Sequence, residues 1–545
     1  MFTFFHCYSP KLWAGYEKNG LLRGNYGVRF PMSIRNTELG GDFNDLAKKG
    51  GELYEMIKAK KLPLYIDRLQ GGSFIYLHKY DFDEELLAEY EEMLGDDFYG
   101  FQIHEWLSNY HNDIFYKLCD IPKENWNEEN IKKEIAEKYK FPWLYLEAMT
   151  LSEMAEAGKP ESAEELYANM TAIYEKRKAK YKKLVPCDSF YLMYPYEAEQ
   201  GAAAIMPEVG AQIPFMRLQM CFARGVTRAY GIKLGAYYEP WGGDAQVSAC
   251  MYNESGENEW KINNDVSPFK TVGTRGGSSR SLQMRVYLYS YLSGVDFISE
   301  EWGGFNTFSD AECTRLSEYG EVKKRFLDFV DKYPDVGEKL APIATVISNN
   351  FPSYTLDEDE NTLFDYHVSD EMREKISAVK DGVKRIFLNA EPMLGNELEI
   401  KTLINSSVPD AVDMLNVGDG RALAKYKYLV DLTGEADFAE KRENVITPDE
   451  VPKKLSELLP AWVDGGLHWF LNERDEGYYI TVFNNSGVMR SPSFEEHVLD
   501  EETRTVSIDT KGKPLTNLEG GGAIEYRDGK YYLTLRGGDF FFGSF

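Results

Sequence analysis

The order of its apolar runs constrains this chain more than any other feature. Over residues 1–340, short strand-like runs alternate with helical stretches. Met1–Cys7, Pro63–Arg68, Phe98–Trp106, Ser189–Tyr194, Leu234–Tyr238 and Val295–Ser299 read as strands. Asp83–Leu94, with Leu86, Leu87, Tyr90 and Met93 on one face, reads as a helix, as do 211–231 and 278–292. A stretch rich in Glu, Lys and Ala, about 127–184, reads as a helical insertion. Alternation of this kind requires a parallel sheet with crossover helices. At this length the expectation is an α/β fold, a closed (β/α)8 TIM barrel, with six of its strands legible. No Gly-x-Gly-x-x-Gly turn or phosphate loop follows an early strand, which argues against a nucleotide-binding sheet.

The chain has 545 residues, more than one ordinary core, so further units are expected. Residues 341–455 read as a small α/β domain: Ile343–Ser348 and Tyr428–Leu432 are strand-like, 370–388 and 419–427 helix-like. The same segment could instead supply the missing barrel strands. Residues 456–545 change to period two, in Gly477–Phe483 and Thr503–Ile508, and Ile524–Leu535 carries Asp528-Gly529 at a hairpin turn. This reads as a C-terminal antiparallel β-sandwich without catalytic residues, supporting the barrel or a homo-oligomer contact.

A net charge of −28 repels phosphate backbones, so nucleic acid and anionic membranes are excluded as partners. No apolar run of 18 residues is present, and Met1–Cys7 has neither a basic leader nor a small-residue cleavage site, so a cytoplasmic protein is expected. Six cysteines, at 7, 119, 187, 221, 250 and 313, form no Cys-x-x-Cys pair and read as reduced thiols. Seven histidines show no His-x-x-x-His spacing, so neither a metal nor another cofactor is called for by the sequence.

In a (β/α)8 barrel the reactive groups come from the C-terminal ends of strands. Four of the strand-like runs lead into Glu: His104-Glu105-Trp106, Tyr194-Pro-Tyr-Glu197, Glu239-Pro-Trp241 and Glu300-Glu301-Trp302-Gly-Gly. A lone Glu at a strand end is usually a solvated loop residue; four such ends, three with a nearby Trp, match what glycoside hydrolysis needs. One carboxyl protonates the leaving oxygen, and a second attacks the anomeric carbon or activates water. Tryptophans offer flat faces to sugar rings, in keeping with an aromatic content of 14%. The candidate catalytic residues are Glu301, as nucleophile or base, with Glu239 or Glu105 as acid. Glu301 is preferred to Glu300 because it shares strand parity with Val295, Phe297 and Ser299. Candidate substrate-binding residues are His104, Trp106, Tyr194, Glu197, Trp241, Glu300 and Trp302. Asp67 and Arg68 read as an ion pair beneath the site. The competing readings are a barrel that binds sugar without cleaving it, and a barrel lyase or isomerase using Glu as base.

Ala223-Arg-Gly-Val-Thr-Arg-Ala-Tyr-Gly231, Ser290-Tyr-Leu-Ser-Gly-Val-Asp-Phe297 leading into Glu300-Glu-Trp-Gly303, Ser317-Glu-Tyr-Gly-Glu-Val322 and Phe329–Gly337 before Ala341-Pro-Ile-Ala344 form an ordered set over most of the chain. In this order the sequence resembles multidomain barrel glycoside hydrolases, family 42 β-galactosidases in domain order, and related uncharacterised bacterial proteins. The resemblance implies a barrel, a small α/β domain and a β-sandwich, and cleavage of glycosidic bonds in oligosaccharides. In clan-A barrels the acid/base follows Asn; here Glu105 follows His and Glu239 follows Tyr. The resemblance therefore implies architecture and broad activity, not residue roles.

Overall fold

The computed structural model describes residues 1–30, 47–67, 84–138, 146, 148–210, 216–239, 279–301, 303–348, 362–363, 366–387, 403–418, 420–435, 437–490 and 496–545. Eight parallel strands close into a barrel in sequence order: β1 Thr3–Cys7, β2 Tyr26–Phe30, β3 Leu64–Ile66, β4 Phe98–His104, β5 Leu184–Asp188, β6 Ala204–Gly210, β7 Lys233–Glu239 and β8 Phe297–Glu300. β8 returns to β1 through Thr3↔Phe297 and Phe4↔Ile298. The strands are buried on both faces, so their residues do not alternate between apolar and polar.

The lower barrel is filled by rings. Phe5, Tyr65, Tyr99 and Phe297 meet edge-to-face or tilted, with Phe5 lying 4.8 Å from Tyr65 and 5.0 Å from Tyr99. Val185, Cys187, Met206 and Tyr237 complete the plug. Gly27 and Gly235 make room for it, since a Cβ at either would overlap the ring of Phe5 or Phe297. Because this plug is solid, polar side chains on the same inward parity can gather only above it, at the C-terminal mouth.

Two of the expected strands need revision. Ser189–Tyr194 is not a strand: β5 ends at Asp188, Tyr191–Met193 is a 3-10 turn and Tyr194–Glu199 is a helix with Pro195 in its first turn. β2, β5 and β6 are the three barrel strands outside the expectation; β2 holds Arg29 and Gly27, and β6 holds Pro207 and Glu208. Phe98–Trp106 stops at His104, where Glu105, in the left-handed region at φ 45°, turns the chain into the helix Trp106–Asn112. The insertion is helical, as Glu128–Lys138, Leu151–Ala157 and Ala163–Tyr181.

Residues beyond 341 are not needed to close the barrel. Val412–Asn416, Ile343–Ile347, Tyr428–Leu432 and Val445–Ile446 form a separate parallel sheet in that order. The helix Met216–Tyr230 packs on it, with Arg224 and Arg228 both on Asp413 at 2.5 and 2.8 Å. Among the described residues the C-terminal region holds antiparallel sheets of five and four strands, sharing one buried cluster, and a two-stranded one, Val488–Arg490 with Glu496–Val498. Asp528 and Gly529 both have positive φ in the hairpin Ala523–Leu535, as a two-residue type I′ turn requires. Glu338–Lys339 forms the outer strand of the five-stranded sheet, so the segment just before residue 341 already belongs to the C-terminal layer. Among the described residues no helix is long and apolar enough to cross a membrane.

Candidate active site

Inward parity carries four polar side chains to the mouth from four strand ends, three of them adjacent. They are His104 on β4, Glu208 on β6, Glu239 on β7 and Glu301 just beyond β8. One nitrogen or oxygen from each lies within 4.8 Å of the others, and their exposures are 2, 1, 2 and 7%. His104 Nε2 is 2.8 Å from Glu208 Oε1. The Glu301 backbone N–H donates to the Tyr238 carbonyl at 2.8 Å, which fixes the turn that aims its side chain inward.

Crowding three carboxyl groups in a dry mouth has an electrostatic consequence. Burial pushes the Glu208 carboxyl well above its ordinary range, and the Glu239 and Glu105 carboxylates and a hydrogen bond with Glu239 push it further. Glu208 therefore holds a proton under conditions where a solvated Glu has lost it. Glu105 stands at the rim, its side chain 41% exposed and its Oε2 3.6 Å from His104 Nδ1. Its left-handed backbone costs on the order of 1 kcal/mol, strain of the kind that concentrates at functional sites.

Glu300 points the other way. Its carboxyl is 2.6 Å from Lys323 Nζ and accepts the Tyr287 hydroxyl, outside the barrel wall. A Cβ on Gly303 would collide with this carboxyl, so that glycine accommodates Glu300 rather than the approach of a ligand. Trp106, Tyr194 and Glu197 also leave the mouth. Trp106 donates to the Ala148 carbonyl at 3.0 Å and Tyr194 to the Asp188 carbonyl at 3.0 Å. Glu197 lines a separate cavity on the barrel's flank, with Trp106. Trp241, Trp302 and Arg68 lie outside the described residues. Asp67 does form a buried ion pair, but with Arg29, which also donates to the Tyr237 hydroxyl at 2.8 Å and the Glu300 carbonyl at 2.5 Å.

Glu208 is the residue that sequence reasoning missed. Its signal is parity: Met206 fills the plug, so Glu208, two residues on, faces inward just above it. His104, Glu208, Glu239 and Glu301 could also hold a divalent cation, a set that chain spacing does not reveal because each donor sits on a different strand.

No protein-family model matches the chain, and no curated protein matches it. Among solved structures it is similar to the catalytic module of a family 98 glycoside hydrolase from Streptococcus pneumoniae TIGR4, in complex with the LewisY pentasaccharide blood group antigen. Identity is 9%, coverage 100% of this chain and 98% of the other, and the TM-score 0.46. It is similar to a β-galactosidase from the Antarctic haloarchaeon Halorubrum lacusprofundi at 10% identity, 100% and 99% coverage and a TM-score of 0.44. It is also similar to a rhamnosidase from Novosphingobium sp. PP1Y at 11% identity, 87% and 47% coverage and a TM-score of 0.32.

Proposed function

We propose that the protein is a glycoside hydrolase that cleaves oligosaccharides at the barrel mouth with a proton-bearing carboxyl and an ionised one. The observation that carries this reading is the convergence of Glu208, Glu239 and Glu301 within 4.8 Å, one of them held protonated by its neighbours. Hydrolysis of a glycoside needs a carboxylic acid to protonate the leaving oxygen and a carboxylate to meet the developing oxocarbenium ion. Glu208, sharing a proton with Glu239, supplies the first role. Glu301, on the next strand but one, supplies the second as nucleophile or base. His104 fixes Glu208 from the side opposite Glu239, and Glu105 adds negative charge at the rim.

The test is a panel of nitrophenyl glycosides and reducing oligosaccharides, with product anomers followed by NMR in the first minutes. Hydrolysis of at least one reducing oligosaccharide, lost in Glu208→Gln and in Glu301→Gln, is expected. Turnover that survives both changes would remove the mouth from consideration.

Two further outcomes follow from the electrostatics. Glu105→Gln is expected to move the alkaline limb of the kcat/KM profile to lower pH. The Glu105 carboxylate helps keep the Glu208 proton on, and without it that proton leaves sooner. The displacement is partial because burial, the larger cause, is unchanged. An alkaline limb that stays in place in the variant would break the link between Glu105 and the acid. Exhaustive chelation is expected to leave the rate unchanged, since protons rather than a cation offset the crowded carboxylates in this mechanism. Loss of activity on chelation, with recovery on adding a divalent ion, would reassign the same four side chains as metal ligands.

A further inference from the structure

On the barrel's flank, outside the strands β4 and β5, lies a second acidic constellation that the hydrolytic reading does not use. Asp188 ends β5, and Glu197 projects from the helix Tyr194–Glu199. With Trp106, Tyr174, Tyr196 and Met193 they line a cavity with room for about one water-sized particle. The Asp188 carboxyl accepts the Phe190 backbone N–H at 3.0 Å. Glu197 Oε2 and the Tyr174 hydroxyl are buried and have no hydrogen-bond partner among the described residues. Tyr174 is 1% exposed, so its hydroxyl is withdrawn from bulk solvent. The neighbouring Arg177 is committed elsewhere, to the Ala148 carbonyl at 2.9 Å and Glu153 at 3.1 Å.

We propose that this cavity is a binding site for a monovalent cation of potassium or ammonium size, held by Glu197, Asp188 and the Tyr174 hydroxyl. Three features select that occupant. Two carboxyl groups face the space, and no described lysine or arginine pairs with either. The remaining wall includes the rings of Tyr174 and Tyr196, aromatic groups that attract a weakly hydrated cation, while the Trp106 ring already carries the Arg177 guanidinium at 5.6 Å. The space admits one water-sized particle, the size of a bare potassium or ammonium ion and too small for magnesium with the waters it gives up reluctantly. Burial pushes the Asp188 carboxyl up to about 7 and the Glu197 carboxyl well above its ordinary range, so a cation enters by displacing the protons these groups hold. Once bound, it satisfies the two orphaned oxygens together.

Thermal unfolding of the full chain in potassium, ammonium, sodium and choline chlorides at constant ionic strength tests the site. A saturable rise in Tm of a few degrees is expected in potassium and ammonium, absent in choline. Glu197→Gln is expected to abolish the rise. Tyr174→Phe, which removes one oxygen and keeps the ring, is expected to raise the half-saturating concentration roughly two- to tenfold. That variant carries the test if Glu197→Gln does not fold. Equal Tm in potassium and choline for the unmodified protein overturns the proposal, as does a potassium response left intact in both variants. Because the readout is stability without substrate, it stands or falls independently of the hydrolytic assignment.

Discussion

Changing Glu208 to Gln is expected to lower kcat on a natural glycoside by about 10²–10⁴-fold, with the fold intact. Gln keeps the size of the carboxylic acid and can still meet His104 Nε2, 2.8 Å away, but it cannot deliver a proton to a leaving oxygen. The loss should depend on the leaving group. A nitrophenolate departs with little protonation, so nitrophenyl substrates should lose much less rate than alkyl glycosides or oligosaccharides. Glu301→Gln should show no such rescue, because the missing group acts at the anomeric carbon whichever aglycone leaves. A uniform loss across leaving groups in Glu208→Gln would point to Glu239 as the working acid of the pair, and comparison with Glu239→Gln decides between them.

The largest expected effect on stability lies far from the mouth. Asp410 is 1% exposed and gathers Lys339 Nζ at 2.7 Å, His468 Nε2 at 3.3 Å and the Tyr289 hydroxyl at 2.6 Å, with Arg217 Nε at 3.8 Å. Burial alone would raise this carboxyl, and the surrounding Lys339, His468, Arg217 and Arg224 outweigh it, so it sits well below the usual range. These partners come from the helices Met216–Tyr230 and Arg280–Leu292 and from both edge and inner strands of the C-terminal sheet. Asp410→Asn keeps the shape but removes the counter-charge that holds the proton on Lys339, which burial already lowers to about 7, and leaves Arg217 and Arg224 facing a neutral amide. A loss of about 3–5 kcal/mol is expected, the usual cost of removing one member of a buried pair. Chemical denaturation, read by the fluorescence of Trp469 and its neighbours, measures it. A variant within about 0.5 kcal/mol of the parent would mean that the network is solvated in solution.

The barrel was legible because alternation of strand and helix survives noise in single elements, as β1, β3, β4, β7 and β8 show. What escaped was local. Ala204–Gly210 hides behind small residues and Pro207, which lower β-propensity although a barrel strand needs only to fit between its neighbours. Tyr26–Phe30 carries Arg29, whose charge reads as surface until Asp67 is seen beside it. Ser189–Tyr194 is apolar enough to pass for a strand, and Pro195 in the next turn marked a helix start. Within the site, parity separated Glu301 from Glu300, because the two faces of β8 meet different worlds, one the mouth and the other Lys323. Parity could not be applied to Glu208 while its strand was unread. The Trp106 and Glu197 placements failed for a different reason. Both follow a chain reversal, so proximity in sequence to a strand end no longer says which way a side chain faces.

The strand Glu338–Lys339 ties the timing of maturation to the far end of the gene. Lys339 finds Asp410 after 71 more residues have been made, and its strand partner Asn472 later still. At about 5–20 residues per second, the ribosome needs on the order of 4–14 s to deliver the first of these. For that interval a nascent chain with all eight barrel strands already synthesised carries an open lysine where the finished protein has a sealed seam. A chain stalled between residues 385 and 405, with Lys339 clear of the ribosome, should therefore take an amine-reactive label at Lys339, and the released full-length protein should refuse it.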